Sequence, residues 1–173
     1  MNEFLEILKY VLPSLVVFLT AYYLIRTFLD SEVKQLKEQH KENGRKAALP
    51  LKFQAYERLV LFLERIRPDN LVIRVNRAGM DKESLQTALL NTVREEYEHN
   101  LAQQIYISEK AWDLVRSAKE EVLSDINTAA GKMSEKNTAA DYGQQVISLH
   151  LEKKNPAHES AIKFIKREIK EMF

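Results

Sequence analysis

Residues 7–25 read ILKYVLPSLVVFLTAYYLI, an apolar run with a single charge, Lys9, near its start. A hydrocarbon core about 30 Å thick needs roughly 20 helical residues at about 1.5 Å each, so this run is long enough to cross a bilayer as one helix. Lys9 has a long stem that can carry its ammonium out to the headgroups. Tyr10 at one edge and Tyr22 and Tyr23 near the other stand where amphipathic rings favour the interface. Pro13 falls in the first turns, close to polar headgroups, with Ser14 beside it to help satisfy the backbone groups a proline disturbs. A cleaved secretory signal is disfavoured: the amino end, MNEFLE, is acidic, the run is too long, and no small-x-small site follows. A buried helix of a water-soluble fold is disfavoured because the run is apolar on every face except at Ser14 and Thr20. With no cysteine to acylate, a lipoprotein anchor is excluded.

Flanking charge orients the span. Lys9 alone precedes its middle, whereas Arg26, Lys34, Lys37, Lys41, Arg45 and Lys46 follow it, so the carboxyl side is expected at the inner face and the amino terminus outside. The chain therefore divides into a short extracytoplasmic stretch (1–6), a transmembrane helix (7–28), a juxtamembrane helical stalk (29–49) and a cytoplasmic α-helical domain (50–173). The fold class is all-α. Net charge is +1, from 26 basic and 25 acidic residues, which argues against a nucleic-acid partner, since that usually wants a one-signed basic face. Four glycines and four prolines punctuate the chain rather than fill it.

In the stalk, Leu29, Val33, Leu36, His40, Asn43 and Ala47 alternate steps of four and three, a heptad rhythm weakened by its three poor seam residues and by Gly44. Two readings stand there, a solvated extension of the span and a parallel homodimeric coil. Leu49-Pro50-Leu51 is expected to end this helix, because a residue before proline is pushed out of the α region. LKFQAYERLVLFLERIR then carries Tyr56, Leu59, Val60, Leu63 and Ile66 at helical spacing, widened by Leu51, Phe53 and Phe62. PDN at 68–70 breaks the pattern. LVIRV has strand character but no partner strand, so a short helix or extended connector to about Asn76 is expected, with Ala78-Gly79 turning the chain.

Asp81 is positioned to cap a helix expected to run to about Ile105, with Leu85, Leu89, Val93, Tyr97, Leu101 and Ile105 at a strict step of four. Ser108 caps the next, where Trp112, Val115, Ala118, Val122, Ile126 and Ala129 keep helical spacing until Gly131. Thr138 opens a helix holding Tyr142, Val146, Ile147, Leu149 and Leu151. Asn155-Pro156 is read as cap and first-turn proline of a last helix lined by Ile162, Ile165, Ile169 and Met172. The sum is a span, a stalk and a bundle of about five helices.

Chemistry is sparse. Glu96 and His99 have the Glu-x-x-His spacing of carboxylate-bridged metal bundles, but His40, His150 and His158 lack a glutamate three residues earlier. His99 also lies about 200° from Tyr97 around the helix, so a solvated polar face is the better reading and no metal ligand is assigned. No Gly-x-Ser-x-Gly elbow, cysteine nucleophile or glycine-rich phosphate loop is present. No catalytic residue, cofactor or small-molecule substrate is therefore expected. Tyr56 and Arg58, with Arg74 and Asn76, form a candidate interaction surface, set against the commoner reading of a buried tyrosine with a satisfied hydroxyl and an interhelical ion pair.

The phrase LPLKFQAYERLVLFLERIRPDNLVIRVN (49–76), with EYEHNLAQQIYIS (96–108) and Trp112 after it, resembles an uncharacterised family of small bacterial proteins with one amino-terminal span. The resemblance covers most of the chain and implies membrane anchoring and a helical cytoplasmic part, with no activity and no site residues. It suits a scaffold in the bacterial inner membrane, partnered by the lipid bilayer and by a protein or a second copy of itself. The alternatives are an accessory subunit of a larger membrane complex and, less favoured, a metal-binding bundle enzyme.

Overall fold

The computed structural model describes residues 2–134 and 137–172, with side-chain environments from residue 9 onward. Among the described residues there are six α-helices and no strand: α1 (Asn2–Ile66), α2 (Pro68–Val75), α3 (Lys82–Glu98), α4 (Glu109–Gly131), α5 (Ala139–Leu151) and α6 (Ala157–Lys170), with a 3-10 turn at Leu101–Ile105 between α3 and α4. The chain divides into two compact units, Met1–Leu49 and Pro50–Phe173.

The first unit is helical and its apolar side chains are uncovered. Tyr10, Val16, Val17, Phe18, Tyr23 and Ile25 are all more than half exposed. An 18-residue window there has a mean hydropathy of 1.6 with none of it buried, so this helix is long and apolar enough to cross a membrane. The hydroxyls of Ser14, Thr20 and Thr27 donate to the carbonyls of Val11, Val16 and Tyr23, each at 2.8 Å.

The expected break at Leu49-Pro50 is not present, since helix α1 includes both residues. A proline's fixed φ is itself helical, and what it loses is one amide donor and clearance from the carbonyl four residues back. Lys46, which carries that carbonyl, is exposed, so water can bond the group instead.

In the second unit, α1 buries Ala55, Tyr56, Leu59, Phe62, Leu63 and Ile66. Arg67, which precedes Pro68, leaves the helical region with ψ 127°, and α2 begins at the proline. The corner is held by its side chains: Arg67 donates to Asp69 at 2.6 and 2.8 Å, and Asn70 Nδ2 donates to the Glu64 carbonyl at 2.9 Å. Helix α2 buries Leu71 and Val72, which settles LVIRV as helix. Gly79, at φ +85°, supplies the left-handed turn before Asp81, whose carboxylate accepts from Ser84 N at 2.7 Å and starts α3.

Helix α3 buries Leu85, Leu89 and Val93 but stops at Glu98, short of the Ile105 expected. Asn100 takes the Glu96 carbonyl with its side-chain amide at 2.8 Å and adopts φ −106°, ψ 0°, so the chain tightens into the 3-10 turn and exposes Leu101 and Ile105. Tyr97 instead stacks on Trp112 with ring centroids 5.4 Å apart.

Ser108 caps α4 by accepting from Ala111 N. The helix buries Ala111, Val115, Ala118, Val122, Ile126 and Ala129 and packs against α3, α5 and α6. Thr138 and Asp141 form a reciprocal capping box at the start of α5. Its Leu151 is largely exposed, while Tyr142 is buried and donates its hydroxyl to the Ile126 carbonyl at 2.8 Å. Helix α6 differs from expectation at its start. Pro156 itself is the N-cap, without a side-chain cap, and the exposed-donor problem is met from α4, where Glu121 Oε1 accepts from Ala157 N at 3.0 Å.

Candidate functional site

Asp125, His150 and His158 are the buried polar side chains among the described residues, and they meet where the end of α5 and the start of α6 pack on the second half of α4. Each occupies a position that its helix would otherwise give to an apolar residue: Asp125 adjoins Ile126 on the buried stripe of α4, His150 lies four after Val146, and His158 precedes Ala161 and Ile162. Glu121, one turn before Asp125, completes the acidic side. Lys153, just past the end of α5, donates to both Asp125 oxygens at 2.6 and 2.7 Å and stands 3.6 Å from Glu121 Oε1. His150 Nδ1 is 3.8 Å from Asp125 Oδ2, beyond hydrogen-bond length.

The imidazoles of His150 and His158 lie 4.8 Å apart between centroids, and Nδ1 of each is buried without a hydrogen-bond partner. Burial pushes the Asp125 carboxyl up, but His150 and Lys153 outweigh it and hold the group below the usual carboxylate range. For His158, burial and then the neighbouring His150 push the pKa down, favouring the neutral ring. A cavity of about 310 Å³ adjoins the cluster, lined by Arg67, Asp69, His150, Lys153, His158 and Glu159. The chemistry on offer is cation binding and proton holding, and the group holds no serine, threonine or cysteine.

The matching family spans residues 2–172, nearly the whole chain. The chain belongs to DUF7935, a family of unknown function. No curated protein and no solved structure matches it.

The residues singled out in sequence are dispersed by the fold. Tyr56 is buried, its hydroxyl pKa pushed up to about 12 by burial and by Glu168, so it is not part of an accessible surface. Arg58 is exposed beside Leu61, Arg65 and His99 around a cavity of about 210 Å³. Arg74 donates to Glu96 Oε1 at 2.8 Å, an interhelical ion pair between α2 and α3. Asn76 ends α2, donating its backbone N–H to the Val72 carbonyl.

Glu96 and His99 also separate. His99 is exposed as the helical rotation predicts, but the Glu96 side chain is only 16% exposed and takes Arg65 as well as Arg74 on one oxygen. A carboxylate that holds two guanidiniums on one oxygen is an interhelical ion pair rather than a solvated face. The Asp125 cluster of this DUF7935 chain shows in the sequence as polar residues interrupting three apolar stripes, and no Glu-x-x-His spacing marks it because its members come from different helices.

Proposed function

We propose that this DUF7935 chain is a single-pass, membrane-anchored helical interaction protein without catalytic activity. Residues 7–28 cross the bilayer of the bacterial inner membrane and residues 50–173 form a cytoplasmic domain that binds another protein or a second copy of the chain. The observation that carries the anchor is the uncovered apolar helix, with more than ten large apolar side chains exposed between Tyr10 and Leu29. At about 1.5–3 kcal/mol for each such side chain moved out of water, leaving them hydrated would cost tens of kcal/mol, more than a domain's whole stability. Lipid offsets that cost. Ser14, Thr20 and Thr27 support the reading, since each returns its hydroxyl proton to its own helix and needs no water. The basic residues from Arg26 to Lys46 support a cytoplasmic carboxyl side. The non-catalytic reading draws on the sequestration of Glu96 by two arginines and on the burial of Tyr56.

The absence of cysteine makes topology directly measurable with single cysteines. A Ser31→Cys chain is expected in the carbonate-resistant membrane fraction, reacting with an impermeant maleimide only after permeabilisation, whereas Asn2→Cys reacts in intact spheroplasts. Recovery in the soluble fraction, or labelling of Ser31→Cys from outside, overturns the proposal. Light scattering in detergent, corrected for micelle mass, separates a second copy from a different protein partner.

A further inference from the structure

We propose that Glu121, Asp125 and His150 form a binding site for one divalent transition-metal ion, with zinc the simplest case, and that Lys153 is a resident cation which the metal displaces. One donor atom from each of the three side chains lies within 4.8 Å of the others. A metal bonded at about 2.0–2.2 Å holds its donors roughly 3.5 Å apart, so side-chain rotations of about an ångström close the set. Two carboxylates and an imidazole are a borderline donor set. They suit zinc, iron or manganese, whereas calcium and magnesium favour oxygen alone.

The second observation is the state of His150. Its side chain is only 6% exposed and its Nδ1 faces the Asp125 carboxylate, yet that nitrogen has no hydrogen-bond partner. Buried polar atoms are rarely left so, and coordination would satisfy this one. Glu121 engages Ala157 N through Oε1, and its carboxylate has a second oxygen to offer.

Lys153 shows that the spot favours positive charge, since its ammonium sits between the two carboxylates. With Lys153 in place the two acids and one ammonium sum to −1. With a divalent ion in its stead and the lysine withdrawn, the buried charge is balanced, the arrangement a low-dielectric interior favours. The lysine has somewhere to go: it follows the end of α5, its side chain is 29% exposed, and it lines the 310 Å³ cavity that His150 also borders. Because Glu121 also holds the first turn of α6, occupancy of the site is coupled to how α6 docks on α4.

The test uses the untagged full-length chain in detergent, stripped with a chelator and titrated with zinc chloride by calorimetry, with bound metal counted by mass spectrometry. Cobalt(II) serves as a spectroscopic probe through its visible ligand-field bands. The wild-type chain is expected to bind one equivalent. His150→Gln weakens zinc at least tenfold and alters the cobalt bands. Lys153→Met, which removes the competing cation, tightens zinc by about tenfold. Circular dichroism checks that each variant keeps its helicity, and either variant decides alone if the other fails to fold. Absence of stoichiometric zinc on the wild-type chain, an affinity unmoved by His150→Gln, or one that Lys153→Met leaves the same or weaker overturns the proposal and leaves a purely structural ion-pair cluster.

Discussion

A β-carbon added at Gly143 would stand 2.7 Å from Val72 Cγ1, and a β-branched side chain held in the core cannot swing aside. Gly143→Ala gains about 1 kcal/mol of helix propensity in α5 and loses more to the clash with α2, for a net destabilisation of about 1–2 kcal/mol in urea unfolding. Adding Val72→Ala opens the space, so the double variant should be more stable than the summed single effects predict. Glu96 gives a pH signature. Burial alone would raise its carboxyl, but Arg74 and Arg65 outweigh burial and hold it below its ordinary value of 4.5. A carboxyl depressed on folding contributes stability that is fully present above 4.5 and lost as pH falls through the folded value. Both arginines are well exposed, so Glu96→Gln should cost no more than about 1 kcal/mol at neutral pH and flatten the fall in stability below 4.5. Neither site was readable along one helix. Gly143 and Glu96 owe their roles to residues 71 and 31 or 22 positions away, and helical periodicity reports which face is buried but not which partner meets it.

Among the elements, two prolines show where a local rule suffices and where it does not. Pro68 starts a helix and Pro50 does not end one, although each follows a residue that the same steric argument pushes from the α region. What separates them is the company they keep: Arg67, Asp69 and Asn70 hold the corner at Pro68 with side-chain hydrogen bonds, whereas the helix formers Ala47, Ala48, Leu49 and Leu51 flank Pro50. Three helix starts were legible because they are local, whereas the cap read at Asn155 gives way to Pro156. Asp81, Ser108 and Thr138 all accept the amide expected of them. Ser108 goes further, since its hydroxyl also donates to Glu168 Oε2 at 2.9 Å and so ties the start of α4 to α6, beside the buried Tyr56. Ser108→Ala should therefore cost about 1–2 kcal/mol, more than the cap bond alone is worth, and Ser108→Thr should restore most of it. Chemical denaturation of the three chains measures the difference.

For the molecule as a whole, the apolar surface is divided unequally between the two units. Among the described residues the buried core draws on Ala55 and positions after it, whereas the large exposed apolar side chains crowd between Tyr10 and Leu36. A globular protein in water buries the one and cannot keep the other uncovered. That contrast was legible from the start, because a continuous apolar run needs no tertiary information to be recognised, while the convergence of Asp125, His150 and Lys153 needs the packing of three helices. It leads to a division of solubility. A chain beginning at Pro50 keeps every core residue and opens on a proline, the residue best suited to a first helical turn. It should remain in solution without detergent and unfold in one cooperative transition, while the full chain partitions into liposomes. A fragment that aggregates, or that melts without cooperativity, would mean that residues 1–49 complete the fold rather than tether it, and the apolar helix would then be a packing surface in want of protein rather than lipid.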